Sequence, residues 1–153
     1  MGAFKILRTN HTSFTVSDID RTIAFFRDAL GCTVVSSKMP RDQKAIQQIT
    51  GVSGADIIVA YLMAPGGHRL ELIEYLAPED RSSVRPRPCD TGSAHVAFDV
   101  DDIEAAIAAA KEHAVQPIGP TVNIDKGPNA GGKVVYLRDP DGITIEFLQQ
   151  PNK

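Results

Sequence analysis

The sequence predicts an α+β chain built from two copies of one βαβββ module, and two repeats and a length argument predict it. In the first repeat His95, Phe98, Asp102 and Ile103 each fall 84 positions after His11, Phe14, Asp18 and Ile19. The register continues through Ile107 on Ile23 and Ala110 on Phe26. A unit this long that occurs twice describes two halves of one domain, not a solenoid. In the second repeat Leu70-Glu71-Leu72-Ile73 matches Ile145-Glu146-Phe147-Leu148, each behind a glycine-containing turn. Each half therefore opens on a His and closes on a Glu, 60 residues apart in the first half and 51 in the second. The difference is close to the size of an additional segment in the first half, residues 42–51. Finally, 153 residues suffice for one core, whereas a module of about 70 residues is small to stand alone. The expected organisation is a single domain over 1–153: a first module over about 8–76, a linker over 77–92 and a second module over about 93–149.

The elements follow in order. Residues 8–16 alternate, with His11, Ser13 and Thr15 on one face and Thr12, Phe14 and Val16 on the other; period two is the signature of a strand with one apolar face. Ser17 or Asp18 caps a helix, whose Ile19, Ile23, Phe26 and Leu30 recur at helical spacing and face the sheet. Gly31 ends it at the position where a left-handed turn costs glycine little. Residues 32–37 have the β-branched content of a strand. Residues 42–51 are polar and predict a short exposed helix or loop. An apolar strand over 56–63 is followed by the turn Ala64-Pro65-Gly66-Gly67 and by the strand over 68–76 that carries Glu71. Residues 77–92 are rich in Pro, Ser, Arg and Asp and have no apolar period.

The second module repeats the plan. Val96, Phe98 and Val100 lie opposite His95, Ala97 and Asp99 on a strand over 93–100. Asp101 and Glu104 have the spacing of a capping box, and Ile103, Ile107 and Ala110 form the apolar stripe of the helix. A short strand over 115–118 leads to residues 119–132, whose Gly and Pro content predicts a mobile loop that acts as a lid. Residues 133–138, the turn Asp139-Pro140-Asp141-Gly142 and residues 143–149 make a final hairpin.

Composition excludes several classes. Sixteen basic against 19 acidic residues give a charge of −3 with no basic cluster, so no nucleic-acid partner is expected. No apolar run approaches the length of a membrane span, and no membrane partner is expected. Met1-Gly2-Ala3-Phe4 lacks the cationic start of a secretory signal, and Ile6 and Leu7 stand where myristoylation wants Ser or Thr. Cys32 and Cys89 are far apart and in no CxxC pattern, which predicts two unpaired thiols in a reducing compartment and a cytoplasmic protein.

The alternation carries the chemistry. His11 and His95 lie opposite the Phe and Val that pack on the helices; Glu71 lies opposite Leu70 and Leu72; Glu146 lies opposite Ile145 and Phe147. If the two sheets curl round one cavity, all four face into it. Two imidazoles and two carboxylates make a mixed N/O site for a divalent first-row metal, with coordination positions left open for water or substrate. Each residue alone is weak, and the pattern gains weight because it occurs twice with the same order and parity. His68 and His113 have no repeat partner and read as surface residues. Glu74 competes with Glu71 but has the opposite parity, and Tyr75 and Tyr136 are candidates to line a pocket, with core or rim packing the leading account.

On these residues the chain resembles the vicinal oxygen chelate superfamily, the group that contains glyoxalase I, methylmalonyl-CoA epimerase, extradiol dioxygenases and the fosfomycin and bleomycin resistance proteins. The resemblance runs over roughly 9–149. It is carried by His11 on the first strand, the helix over 18–31, the run His68-Arg69-Leu70-Glu71-Leu72-Ile73-Glu74-Tyr75, the run Ala94-His95-Val96-Ala97-Phe98, and Asp139-Pro140-Asp141-Gly142 ahead of Glu146. It implies the fold, two βαβββ modules pairing into a curved eight-stranded sheet around a metal site. It also implies metal ligands at His11, Glu71, His95 and Glu146, with the divalent ion being Zn, Ni, Co or Mn. A homodimer and a small-molecule substrate with two adjacent oxygens belong to the same expectation. In glyoxalase-like members a metal-ligand Glu moves the proton of a C–H next to a carbonyl, which makes Glu146 or Glu71 the catalytic base by matching position. Epimerase-like members carry an additional carboxylate on the third strand of the first module; this chain departs from that pattern, with Asp56 at the strand edge and Ala60 within it.

The leading expectation is therefore a metal-dependent isomerase or lyase, glyoxalase- or epimerase-like. Three others stand beside it. An extradiol-type dioxygenase needs two His and one carboxylate on iron, and the fourth ligand opposes it. A drug-binding resistance protein of the same fold usually lacks the ligand set kept here. A fosfomycin-modifying transferase would have three ligands and an anion site that the sequence does not display.

Overall fold

A computed structural model describes residues 4–151; the sequence reading of Met1, Gly2 and Ala3 lies outside the described residues. The chain falls into two compact units, Met1–Glu79 and Asp80–Lys153. The first unit contains β1 (Thr12–Val16), α1 (Ile19–Ala24), β2 (Thr33–Pro40), α2 (Gln43–Thr50), β3 (Asp56–Met63) and β4 (Arg69–Ala77). Its sheet has the order β1-β4-β3-β2, with β1 parallel to β4 and the other pairs antiparallel. The chain leaves β1 through α1 and reaches β2 at the far edge, so the β3–β4 hairpin fills the space between them.

Register explains the core. Leu62 pairs with Leu70, Ala60 with Leu72, and Phe14 with Leu72, so these side chains share the face that α1 covers. Leu62, Leu70, Leu72 and Ala60 are all fully buried, and Ile19 and Phe26 meet them from the helix. Each large apolar side chain buried in this way contributes about 1.5–3 kcal/mol. The helix differs from the expected continuous one over 18–31. After Ala24 it widens into a π-helical turn, Phe25–Ala29. The wider turn swings two consecutive aromatics inward, Phe25 at 3% and Phe26 at 1% exposure, and leaves Leu30 only half-buried. Gly31 follows with φ of 66°, the left-handed conformation expected of it.

The second unit contains β5 (His95–Val100), α3 (Ile103–Glu112), β6 (Gln116–Pro117), β7 (Val122–Asn123), β8 (Lys133–Arg138) and β9 (Thr144–Gln149). The order β5-β9-β8-β6 repeats that of the first sheet, and β5 runs parallel to β9. The eight expected strands are present. A ninth, the two-residue β7, was not expected and pairs with β8. It lies in the stretch read as a mobile loop, which is further tied by Ile124 N–H to Gly132 O and, just ahead of it, by Ile118 N–H to Tyr136 O. Ile103, Ala110, Leu137, Ile145 and Phe147 form a core with no exposed surface. His113, read as a surface residue, is half-buried at the end of α3.

Both helices start in the same way. Asp18 accepts from Arg21 N–H and Asp102 from the N–H groups of Glu104 and Ala105, satisfying donors that have no partner inside the helix. Asp102, not Asp101, is thus the cap; Asp101 bonds to the N–H of Asp102 instead. A second bond comes from the last strand of each sheet. Ile19 N–H donates to Glu74 Oε2 at 2.9 Å and Ile103 N–H to Gln149 Oε1 at 3.0 Å. No helix among the described residues is long and apolar enough to cross a membrane.

The two cysteines differ in reactivity. Cys32 is 2% exposed, and burial pushes its thiol up to about 11; Cys89 is exposed. Since the thiolate is the nucleophile, alkylation at about pH 8 should modify Cys89 in the native protein and Cys32 only after unfolding. Peptide mass spectrometry checks this, and equal native labelling of both would contradict the packing around Cys32.

Candidate metal centre

In the first unit, β1 and β4 set Ser13 beside Glu71, and His11 precedes Ser13 by two residues, so strand alternation puts it on the same face. His11 Nε2 lies 3.2 Å from Glu71 Oε2. Tyr61 stands directly across from Glu71 on β3, and its hydroxyl donates to Glu71 Oε1 at 2.5 Å. The Tyr61 ring is also edge-on to His11, with centroids 6.1 Å apart. On the outer side of the imidazole, Asn10 Oδ1 lies 2.8 Å from His11 Nδ1. An N–H donated there holds the ring and leaves Nε2 to offer its lone pair inward.

The second unit builds the same constellation. Glu146 pairs with Ala97 of β5 and His95 with Thr144 of β9, which puts His95 one same-face step from Glu146. His95 Nε2 lies 3.0 Å from Glu146 Oε2. Tyr136 stands across from Glu146 on β8, with its ring centroid 5.1 Å from that of His95. The two carboxylates are nearly equally sheltered, with side-chain exposures of 13% for Glu71 and 14% for Glu146.

Beneath this symmetry lies one difference. Among the described residues the Tyr136 hydroxyl makes no bond to Glu146. The pKa directions carry the same contrast. The Tyr61 phenol is raised first by its bond to Glu71, whereas that of Tyr136 is raised first by burial and then by the charge of Glu146. Glu71 therefore has both oxygens engaged, and Glu146 has one.

The sequence reading named His11, Glu71, His95 and Glu146, and the structure brings them together in two His–Glu pairs, one in each unit. It missed Tyr61. The signal was present: Tyr136 follows Tyr61 by 75 positions, as Glu146 follows Glu71 and Gln149 follows Glu74. Tyr136, a candidate for pocket lining behind core or rim packing, lines a cavity in the second unit. Glu74, the competitor, caps α1 from the helix-covered face, and His68 bonds to Thr12 at an exposed position.

The pairs suit a metal. Ligands at about 2.0–2.2 Å from a cation and at right angles to each other sit roughly 3 Å apart, and the observed separations are 3.0 and 3.2 Å. Imidazole plus carboxylate is a donor set for first-row divalent ions. Within either unit no third His, Cys, Asp or Glu among the described residues completes a three-donor group, so each unit offers two donors. Beside Glu146 lies a cavity of about 500 Å³ whose other walls include Ile118, Pro120, Val122, Val134 and Tyr136. Residues 118–122 thus form a wall of this cavity.

Comparison with known proteins places these features. Residues 8–147 match the sequence profile of the Glyoxalase/Bleomycin resistance protein/Dioxygenase superfamily. The chain is 30% identical over 146 residues to a 2-epi-5-epi-valiolone epimerase of Actinomyces sp, covering 93% of this chain and 79% of the relative. It is 30% identical over 145 residues to a lactoylglutathione lyase of Haemophilus influenzae, covering 91% and 90% of the two chains. A crystal structure of a glyoxalase family protein from Bacillus cereus superposes with a TM-score of 0.84 at 25% identity, over 99% of both chains.

The tyrosine contrast predicts unequal effects of two matched substitutions. Tyr61→Phe removes the donor that orients Glu71 and should weaken divalent-metal binding about tenfold or more, as loss of an outer-shell partner does. Tyr136→Phe should leave it near the wild-type value. Competition with a chromophoric chelator measures both, and equal losses would contradict the contrast.

Proposed function

The chain belongs to the Glyoxalase/Bleomycin resistance protein/Dioxygenase superfamily, and we propose that it is a metal-dependent isomerase or lyase of the glyoxalase or epimerase kind. It abstracts a proton next to a carbonyl of a small molecule that chelates the metal through adjacent oxygens. The observation that carries this is the pair of His–Glu half-sites, His11 with Glu71 and His95 with Glu146, at separations of 3.2 and 3.0 Å. The two modules act as one domain, and the four side chains hold one divalent ion, of Zn, Ni, Co or Mn. Relatives whose printed names are epimerase and lactoylglutathione lyase support the reaction class.

The bound cation supplies Lewis-acid stabilisation of the negative charge that develops on a carbonyl oxygen when the adjacent C–H bond breaks. The rest is the work of the chain. Glu146 takes the proton. One of its oxygens faces His95, no hydroxyl holds the other, and it borders a cavity that Val122 and Val134 also line. Glu71 cannot turn as freely, because Tyr61 holds Oε1 while His11 faces Oε2. Glu71 is therefore the fixed ligand and Glu146 the base. The same carboxylate returns the proton to the substrate at the neighbouring position, so the enzyme ends with the charge it began with. The native assembly is a homodimer, whose contact covers strand edges that a lone chain exposes.

Elemental analysis of the purified protein should find a stoichiometric divalent ion that is lost in His95→Ala. Glu146→Gln separates base from ligand, because the amide still offers an oxygen but accepts no proton. Screened with hemithioacetals and acyl-CoA esters, this variant should retain metal and lose solvent deuterium exchange at the substrate carbon; exchange at the wild-type rate would exclude Glu146 as the base. Light scattering at micromolar concentration should give twice the chain mass of 16.5 kDa, and a mass of one chain would overturn the dimer.

A further inference from the structure

A second polar feature lies on the Glu146 face of the second sheet, and neither the metal centre nor the core uses it. Arg138 is the last residue of β8, two positions after Tyr136, so alternation gives it the same face. It pairs across the sheet with Thr144, and Thr144 pairs with His95. Arg138 therefore sits one same-face step, about 7 Å along the strand, from the Tyr136–Glu146 row. It lines a cavity of about 370 Å³ together with Arg85, Gln116, Pro117 and Ile118. Ile118 also lines the cavity beside Glu146.

The guanidinium bonds are incomplete. Arg138 gives one terminal N–H to Pro86 O at 2.7 Å, and Arg85 gives one to Pro140 O. Arg138 Nε is buried and has no acceptor. A guanidinium does not lose its proton in a protein, so this is a permanent cation with a buried donor unsatisfied, a state that is unfavourable unless something accepts the bond. The nearby acids are already committed. Asp139 Oδ1 accepts from the N–H groups of Asp141 and Ile143 at 2.9 and 2.7 Å. The charge of Arg138 reaches Asp90, but Asp90 is held by Arg87 through both oxygens, and Arg87 and its own N–H lower the carboxyl pKa.

We infer that Arg138 and Arg85 form an anion site that takes a carboxylate or a phosphate. Resting on the proposed function, we add that the substrate bears this anionic group one strand step from the carbon that loses its proton. Oxyanions supply several acceptors in the fork geometry that arginine presents, and one bound at the terminal N–H groups of Arg138 gives the buried Nε–H an acceptor once the side chain turns toward it. The two arginines lie 53 positions apart, and the fold of residues 85–87 onto the β8–β9 turn brings them together.

Nitrogen-15 spectra of arginine side chains test the site in metal-free protein. The Arg138 Nε–H resonance, identified by its loss in Arg138→Lys, should shift saturably on titration with inorganic phosphate or with acetate, and the stronger ligand names the class. An unmoved resonance with both anions overturns the site. The substrate clause is tested in metal-loaded protein with two hydroxamates, each offering two adjacent oxygens. Succinic monohydroxamate should bind about tenfold or more tighter than acetohydroxamate, the gain of one charge-assisted bond, and Arg138→Gln and Arg85→Gln should each reduce the advantage. Equal binding of the two hydroxamates by the wild-type protein overturns the clause. If acetohydroxamate itself does not bind, the metal reading fails, while the phosphate and acetate titrations still decide the anion site.

Discussion

Side chains alternate along β4 and β9, and this alternation allows one strand to serve a core and a chemical site together. Leu70 and Leu72 are fully buried under α1 while Glu71 between them faces the other way. Ile145 and Phe147 are fully buried while Glu146 faces His95. A slip of one residue in either strand would turn a carboxylate into the core and expose two large apolar groups. The apolar burial of several side chains at about 1.5–3 kcal/mol each therefore fixes the direction of the glutamate. The site gets its precision from the packing behind it.

Period two is also why so much of the site was legible in the sequence. His11, Glu71, His95 and Glu146 could be placed on the correct face from parity alone, and the duplication separated them from His68 and Glu74. What remained hidden depended on pairing between strands. Tyr61 faces Glu71 because β3 and β4 share a particular register, and in the sequence only its 75-residue offset to Tyr136 marks that tyrosine. The π-helical turn that buries Phe25 beside Phe26 was equally hidden, because helical spacing alone admits one of two adjacent residues to the core. Composition marked residues 119–132 as a mobile loop and gave no sign that two of them, Val122 and Asn123, pair with β8.

The matched His–Glu pairs differ in one hydrogen bond. Tyr61 and Tyr136 occupy equivalent positions, yet only the first bonds to its glutamate. Duplication yields two identical carboxylates, and here their surroundings differ while the residue types stay the same. A difference of this kind leaves no trace in the pattern of residue types.

Each site glutamate is followed three residues later by the side chain that caps a helix: Glu74 holds the N–H of Ile19, and Gln149 holds that of Ile103. Three residues of strand thus measure the distance between the carboxylate that faces the histidine and the helix anchor on the opposite face. That spacing acts as a ruler. The segment around α2, with no counterpart in the second unit, shows that the chain has absorbed length changes ahead of β3. Within β4 and β9 a single inserted residue would uncap a helix and misdirect a glutamate together. Length variation among chains of this plan should therefore gather in the connections and leave the closing strands at constant measure.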